Sequence, residues 1–226
     1  GKVFKNLKGF REWIVRWNKR VGEDGVHEAT CEDVMRSVNP AVIPRNHLVE
    51  EAIKFAVDEG DYSYFHKLVE LNLKCDGDID LIPLKALLTL SRLTISGANL
   101  ENMDFLGENS KLTHLDISNT SLVDLSALSS LKQLKSLRLR KCEIDDLRFL
   151  ADFSQLEILN LNENNIEELS PLTHMISLKV LDIDGNDVFD LGALAPLSKI
   201  TWIHASRNNI SDISSISPLK NLTSLD

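Results

Sequence analysis

The sequence holds no run of 18 apolar residues and no hydrophobic leader at its start, so nothing in it reads as a helix that spans a membrane. Cysteine is scarce. Cys31, Cys75 and Cys142 are odd in number and form no CxxC pair, which excludes a readable disulfide framework. Reduced thiols in the cytoplasm are the simpler expectation, with secretion or cell-surface display the alternative if an export signal was removed. Positive charge is also short: 25 Lys and Arg against 34 Asp and Glu give a formal charge of −9 and a pI near 5.2. A general nucleic-acid binder or anionic-membrane binder needs the opposite balance, so neither nucleic acid nor membrane is an expected partner.

Chemistry-bearing patterns are missing too. There is no glycine-rich phosphate loop and no HRD-like or DFG-like string; the nearest, Asp104-Phe105-Leu106-Gly107, carries an extra residue inside a repeat. His27, His47 and His66 have no ligand spacing, His174 falls on the far side of its repeat, and His114 and His204 lie four repeats apart, about 19 Å at strand spacing. No Ser, His and acid converge in neighbouring columns. The expectation is therefore no catalytic residue, no metal ligand and no cofactor.

What is present divides in two. Over 1–67 the apolar spacing is helical. Phe4, Leu7, Phe10, Ile14 and Trp17 share a stripe, interleaved with Lys8, Arg11, Arg16, Lys19 and Arg20, and ending near Gly22. Such a basic amphipathic helix can serve a surface or a partner, but more helical sequence follows, and a helix buried among neighbours is the simpler reading. Asn39-Pro40 and Pro44 interrupt any helix. Asn46 is then placed to cap a second one through Leu48, Ile53, Phe55 and Ala56, with Glu50 and Glu51 near its positive end and Gly60 after it.

The motif Asn39-Pro40, Ile43-Pro44-Arg45-Asn46 and Val49-Glu50-Glu51-Ala52-Ile53, within Met35 to Leu71, resembles the C-terminal region of the selenoprotein O family. That family is kinase-like and its activity is protein adenylylation. The family's nucleotide-binding and metal-binding residues belong to a core that would precede this segment, so the resemblance implies a helical module and carries over no active-site residue. The chain then reads either as part of a longer enzyme or as repeats capped by a recruited module.

Over 68–226 the chain repeats itself. Leu156 to Ser177, LEILNLNENNIEELSPLTHMIS, is the clearest copy, and rows of 22 starting at Leu112, Leu134, Leu156, Leu178 and Ile200 align without insertion. The pattern L-x-x-L-x-L-x-x-N-x-I-x-x-L-x-x-L-x-x-L-x-x resembles the 22-residue leucine-rich repeat of internalin-like proteins. It implies an α/β solenoid: a right-handed superhelix of about seven coils, with a parallel β-sheet on its concave face, preceded by the α-helical N-terminal domain. Two weaker rows come first, one on Leu90, Leu93, Ile95, Leu100, Met103 and Leu106, the other a degenerate coil on Leu68, Leu71 and Leu73 in which Asp78 occupies column eleven. Because Leu222 to Asp226 opens another row, further coils or a cap are expected.

Column nine holds Asn164, Asn186 and Asn208, with Thr120 and Cys142 as substitutes. A buried amide there satisfies backbone groups that no regular ladder reaches, so a structural role is preferred to one as ligand or nucleophile. Column thirteen holds Asp124, Asp146, Glu168, Asp190 and Asp212, expected to meet the free N–H groups of short helical turns. Calcium along this ridge is the weaker reading, since the DxDxDG spacing is absent.

Function is expected where the strand residues face outward, in columns three, five and seven. Ile158, Val180 and Trp202 follow one another in column three, an apolar stripe where folding requires none. Asp116, Arg138, Asn160, Asp182 and His204 in column five, with Arg140, Asn162 and Asp184 in column seven, give it a polar rim. Aromatic anchor plus charged rim is the composition of a protein interface. The expected function is thus a non-enzymatic module that binds a protein on the concave face, in an unspecified oligomeric state. The alternatives are a substrate-recruiting or regulatory part of a selenoprotein O-like enzyme, and a cell-surface adhesion domain.

Overall fold

The computed structural model describes residues 70–78, 89–100, 103–107, 111–120, 122 and 124–226. The helices expected over 1–67, and the boundary after them, lie outside the described residues. Within them, eight strands form one parallel sheet in chain order: β1 Glu70–Asp78, β2 Arg92–Asn99, β3 His114–Ser118, β4 Ser136–Arg138, β5 Ile158–Asn160, β6 Val180–Asp182, β7 Trp202–His204 and β8 Ser224–Leu225. From β2 onward every Cα partner is 22 residues away, as in Arg92↔His114, Ile158↔Val180 and Val180↔Trp202. The sequence period is the strand register. A one-residue slip would carry every core leucine to the outer face.

Each coil returns through a short 3-10 turn on the far side: Asp104–Leu106, Ser126–Ser130, Arg148–Leu150, Ser170–His174, Gly192–Leu194 and Ser214–Ile216. Between sheet and turns lies one continuous core. The strand columns Leu93, Leu115, Leu137, Leu159, Leu181 and Ile203 are buried, and so are the turn columns Leu128, Leu150, Leu172 and Leu194. No coil encloses this surface alone, so stacking is a condition of folding. Ile213 is 54% exposed, whereas its column mates Leu147, Leu169 and Leu191 are buried. The chain is a leucine-rich-repeat solenoid with its parallel sheet on the concave side.

The degenerate first row needs one correction. Lys74 pairs with Ser96, but Asp78 pairs with Asn99, so a register shift lies between Lys74 and Gly77. Asp78 therefore stands in column ten and not in column eleven: one extra residue is absorbed as a bulge in β1, which moves all later positions of that strand by one.

A second regularity is conformational. Gly97, Asn119, Lys141, Glu163, Gly185 and Arg207, all in column eight, have φ between 55° and 75°. The chain leaves each strand through a left-handed residue. Glycine is the natural occupant, but Lys, Glu and Arg hold the position in three coils, so stacking over-determines a conformation that costs a non-glycine residue about 1 kcal/mol or more.

Column nine closes the same turn from inside. Asn164 Oδ1 accepts from the N–H groups of Cys142 (2.9 Å) and Ile144 (3.1 Å) in the preceding coil, while Nδ2 donates to the carbonyls of Leu139 and Leu161, both at 2.8 Å. Asn186 and Asn208 repeat the arrangement one and two coils on, bonding Ile166 N–H and Val188 N–H. Cys142 Sγ donates to the Ile117 carbonyl at 3.1 Å, and Thr120 Oγ1 donates to that of Ser118. Burial pushes the Cys142 thiol up to about 11, so it stays protonated and makes a poor nucleophile. Asn164→Ala should leave the Cys142 and Ile144 N–H groups buried without an acceptor, lowering stability by on the order of 3 kcal/mol in urea unfolding, whereas Asn165→Ala, exposed beside it, should change little.

Candidate functional site

The outward columns of the sheet form a face eight strands wide, and its residues are not equally available. Trp202 stands at the head of β7, 50% exposed, with its ring tilted 48° to that of His204 and the two centroids 5.9 Å apart. Ile158 and Val180 are in register with it on β5 and β6 but are half-buried, each flanked by its neighbours along the row. The apolar stripe is therefore one projecting aromatic with two partly covered aliphatics leading up to it. On β4 the same column holds Ser136, 2% exposed, where the stripe ends.

The polar rim divides between scaffold and free groups. Asn162 Oδ1 accepts from Asp184 N–H, and Asp184 Oδ1 accepts from Ser206 N–H, both at 2.8 Å. Each thus satisfies the backbone of the following coil, a structural duty invisible from its outward position. Asn160 Nδ2 donates to Asp182 Oδ2 (2.8 Å), and Asn160 Oδ1 accepts from Asn162 N–H. Asp116 accepts from Ser118 Oγ at 2.5 Å. Arg140 donates to Glu163 of the next coil, which Lys141 also meets at 2.9 Å. Arg138, by contrast, is exposed and has no ion-pair partner among the described residues. His204 Nδ1 lies 4.0 Å from Asp182 Oδ2, and Asp182 Oδ1 is buried with no hydrogen-bond partner among the described residues.

His114 and His204 sit on β3 and β7 with three strands between them and do not meet. Among the described residues no cluster of His, Cys, Asp and Glu is arranged to hold a metal ion. The acidic column thirteen is engaged locally. Asp124, Asp146, Asp190 and Asp212 each accept the N–H of the residue two on, at 2.8–2.9 Å, and Ser170 Oγ lies 3.5 Å from Glu168. Those bonds close the entry to each 3-10 turn. They hold Asp124 and Asp212 below the usual carboxylate range, chiefly through the backbone N–H; for Asp146 the Arg148 side chain is the larger cause.

A solenoid whose leucine columns are consumed by the core, and whose sheet face carries the variable residues, is the architecture of a repeat-protein interaction module. Residues 110–152 match the family described as Leucine Rich repeats (2 copies). The chain is similar to internalin C2 of Listeria monocytogenes, at 30% identity and a TM-score of 0.66 over 72% of this chain and 72% of that one, and to internalin F of the same organism, at 28% identity and 0.66 over 71% and 48%. The chain belongs to the leucine-rich-repeat proteins, with coils of the internalin type. A separate likeness covers 27% of it: 49% identity over 61 residues to the protein nucleotidyltransferase YdiU of Geobacillus kaustophilus, a member of the selenoprotein O family. The chain spans 13% of that protein's length.

Hydrogen bonds from Arg140 and Lys141 hold Glu163 down at about 2, against 4.5 unperturbed. Folding favours its ionised form, so its contribution is complete above pH 4.5 and is lost as pH falls from there toward 2. Asp124, Asp146 and Asp212 act in the same direction. The thermal midpoint, followed by circular dichroism, should fall steeply across that acid window, and Glu163→Gln should make the fall shallower while lowering the midpoint at neutral pH.

Proposed function

We propose that this chain is a protein-binding module that takes its partner on the concave sheet face, with Trp202 as the anchor. The observation that carries the reading is the half-exposed indole at the head of β7, in register with Val180 and Ile158, on a sheet whose other face already buries the leucine columns. A large aromatic left on the outer face gains nothing for folding and is the residue type that dominates interface energetics. Rigid strands give it a fixed direction, and His204 and Asp182 beside it, with Arg138 three strands away, supply polar groups to set orientation. Binding needs no cofactor. A cytoplasmic location is proposed from the free, buried Cys142, and the charge balance argues against nucleic acid or membrane as the partner.

The likeness to YdiU supports a second reading, in which the shared segment belongs to a nucleotidyltransferase and the repeats recruit its protein substrate. The full reading frame separates the two: a nucleotide-binding core ahead of this sequence favours the second, and both keep the concave face as the contact surface.

Pull-down from the source cell with Trp202→Ser combined with Val180→Asp, checked as folded by circular dichroism, should lose the captured partner, with an affinity loss of about 30-fold or more for a true anchor. A folded double variant that retains every partner removes the concave face from consideration.

A further inference from the structure

The sheet face is electrically polarised along the solenoid. On β2 to β4 the outward columns carry His114, Arg138 (unpaired among the described residues), Arg92 paired with Glu70 of β1 and Arg140 paired with Glu163, with Asp116 engaged by Ser118. Burial first, and then the charges of Arg92, Arg138 and Lys135, hold His114 below its usual range, as a positive neighbourhood requires. On β6 to β8 and the residues just after them, the same columns carry Asp182, Asp184 and Asp226. In that half the outward columns hold no lysine or arginine; Arg207 is in column eight, its guanidinium beside Gly185. Trp202 projects within the acidic half. In column five, two residues on, Asp182 stands on the strand to one side and Asp226 follows β8 on the other, each on a diagonal of about 8 Å from Trp202 at strand spacing and rise.

We propose that the Trp202 end of the face receives a cationic side chain, lysine or arginine, of a protein partner, seated on the indole and ringed by Asp182, Asp184 and Asp226. This rests on the concave-face reading above and specifies its chemistry. Two features fit a cation together: a half-exposed indole whose face attracts positive charge, and carboxylates to either side of it, Asp182 on β6 and Asp226 just after β8. An anionic partner group is repelled here. At the other end of the face Arg138 repels a cation, so the position of the cation along the solenoid is specified as well as its sign.

The carboxylates can be neutralised without breaking the scaffold. Asn162 already shows that an asparagine in column seven keeps the bond that Asp184 makes to the backbone N–H of the next coil, and asparagine at 182 retains an acceptor for Asn160. The test titrates the whole chain with N-acetyl leucyl-lysine amide and with N-acetyl leucyl-glutamate amide. It follows the indole N–H resonance of Trp202, assigned by its loss in Trp202→Phe. The lysine peptide should shift that resonance and the glutamate peptide should not. The triple variant Asp182→Asn, Asp184→Asn, Asp226→Asn should weaken the response about tenfold at low salt and less at high salt. Equal responses to the two peptides, or a response unchanged in the triple variant, overturn the proposal.

The natural partner distinguishes this failure from that of the broader reading. If it is lost by the Trp202→Ser, Val180→Asp variant and retained in full by the triple asparagine variant, the face binds but does not select a cation. If both variants retain it, the face is not the site and both readings fall.

Discussion

The asparagine column is the constraint on which the rest depends. At the end of each strand the chain turns away through a left-handed residue, and the backbone groups of that turn have no partner in the sheet. Asn164, Asn186 and Asn208 supply the partners, Asn164 taking two N–H groups of the coil before and the others one each, and all three giving their own N–H groups to carbonyls of both coils. The side-chain amide accepts through its oxygen and donates through its nitrogen from one compact planar group. The bond from coil to coil spans 20 or 22 residues, so it locks the same period that the leucines set hydrophobically. Two independent forces thus select one register.

With register fixed, three columns are released from the core, though not all of them from structural duty. Asn162 and Asp184 point outward and still hold the backbone of the next coil, and Glu163 gathers Arg140 and Lys141 across a coil boundary. Asn162, Asp184 and Arg140 were plausible rim contacts from their column alone. The groups left over are fewer: Trp202, Arg138, and the Asp182–His204 pair.

The hydrophobic side of the fold was legible because burial is periodic. Every row from Leu112 announces its strand and its turn, and the pairing of strands 22 residues apart follows directly. Column eight was not legible. Gly97, Asn119 and Gly185 are the residues a left-handed position favours, and reading them in one column would have exposed it, but Lys141, Glu163 and Arg207 disguise the pattern. The bulge in β1 was half visible, as an acid, Asp78, counted into an apolar column, without the cause. Exposure within the stripe was not legible either: column position gives direction, whereas the half-burial of Ile158 and Val180 depends on the size of what stands beside them. Pairings between different columns, such as Arg140 with Glu163, are 23 residues apart and escape any comparison made column by column.

Electrostatics adds the last step. A surface that is acidic overall says little about a partner, because a uniform field attracts any cation to any place. What distinguishes this face is that its sign changes over a few strands of a rigid sheet. Strand spacing places Arg138 on β4 about 14 Å from the Trp202 strand, well beyond the screening length of about 8 Å at physiological salt, so the two ends act as separate local fields. The apolar row runs from β5 to β7, crossing from the edge of one field into the other. A partner that covers that row therefore meets opposite signs at its two ends, and only one orientation satisfies both. The repeats give the face its length, and the change of sign gives it a direction.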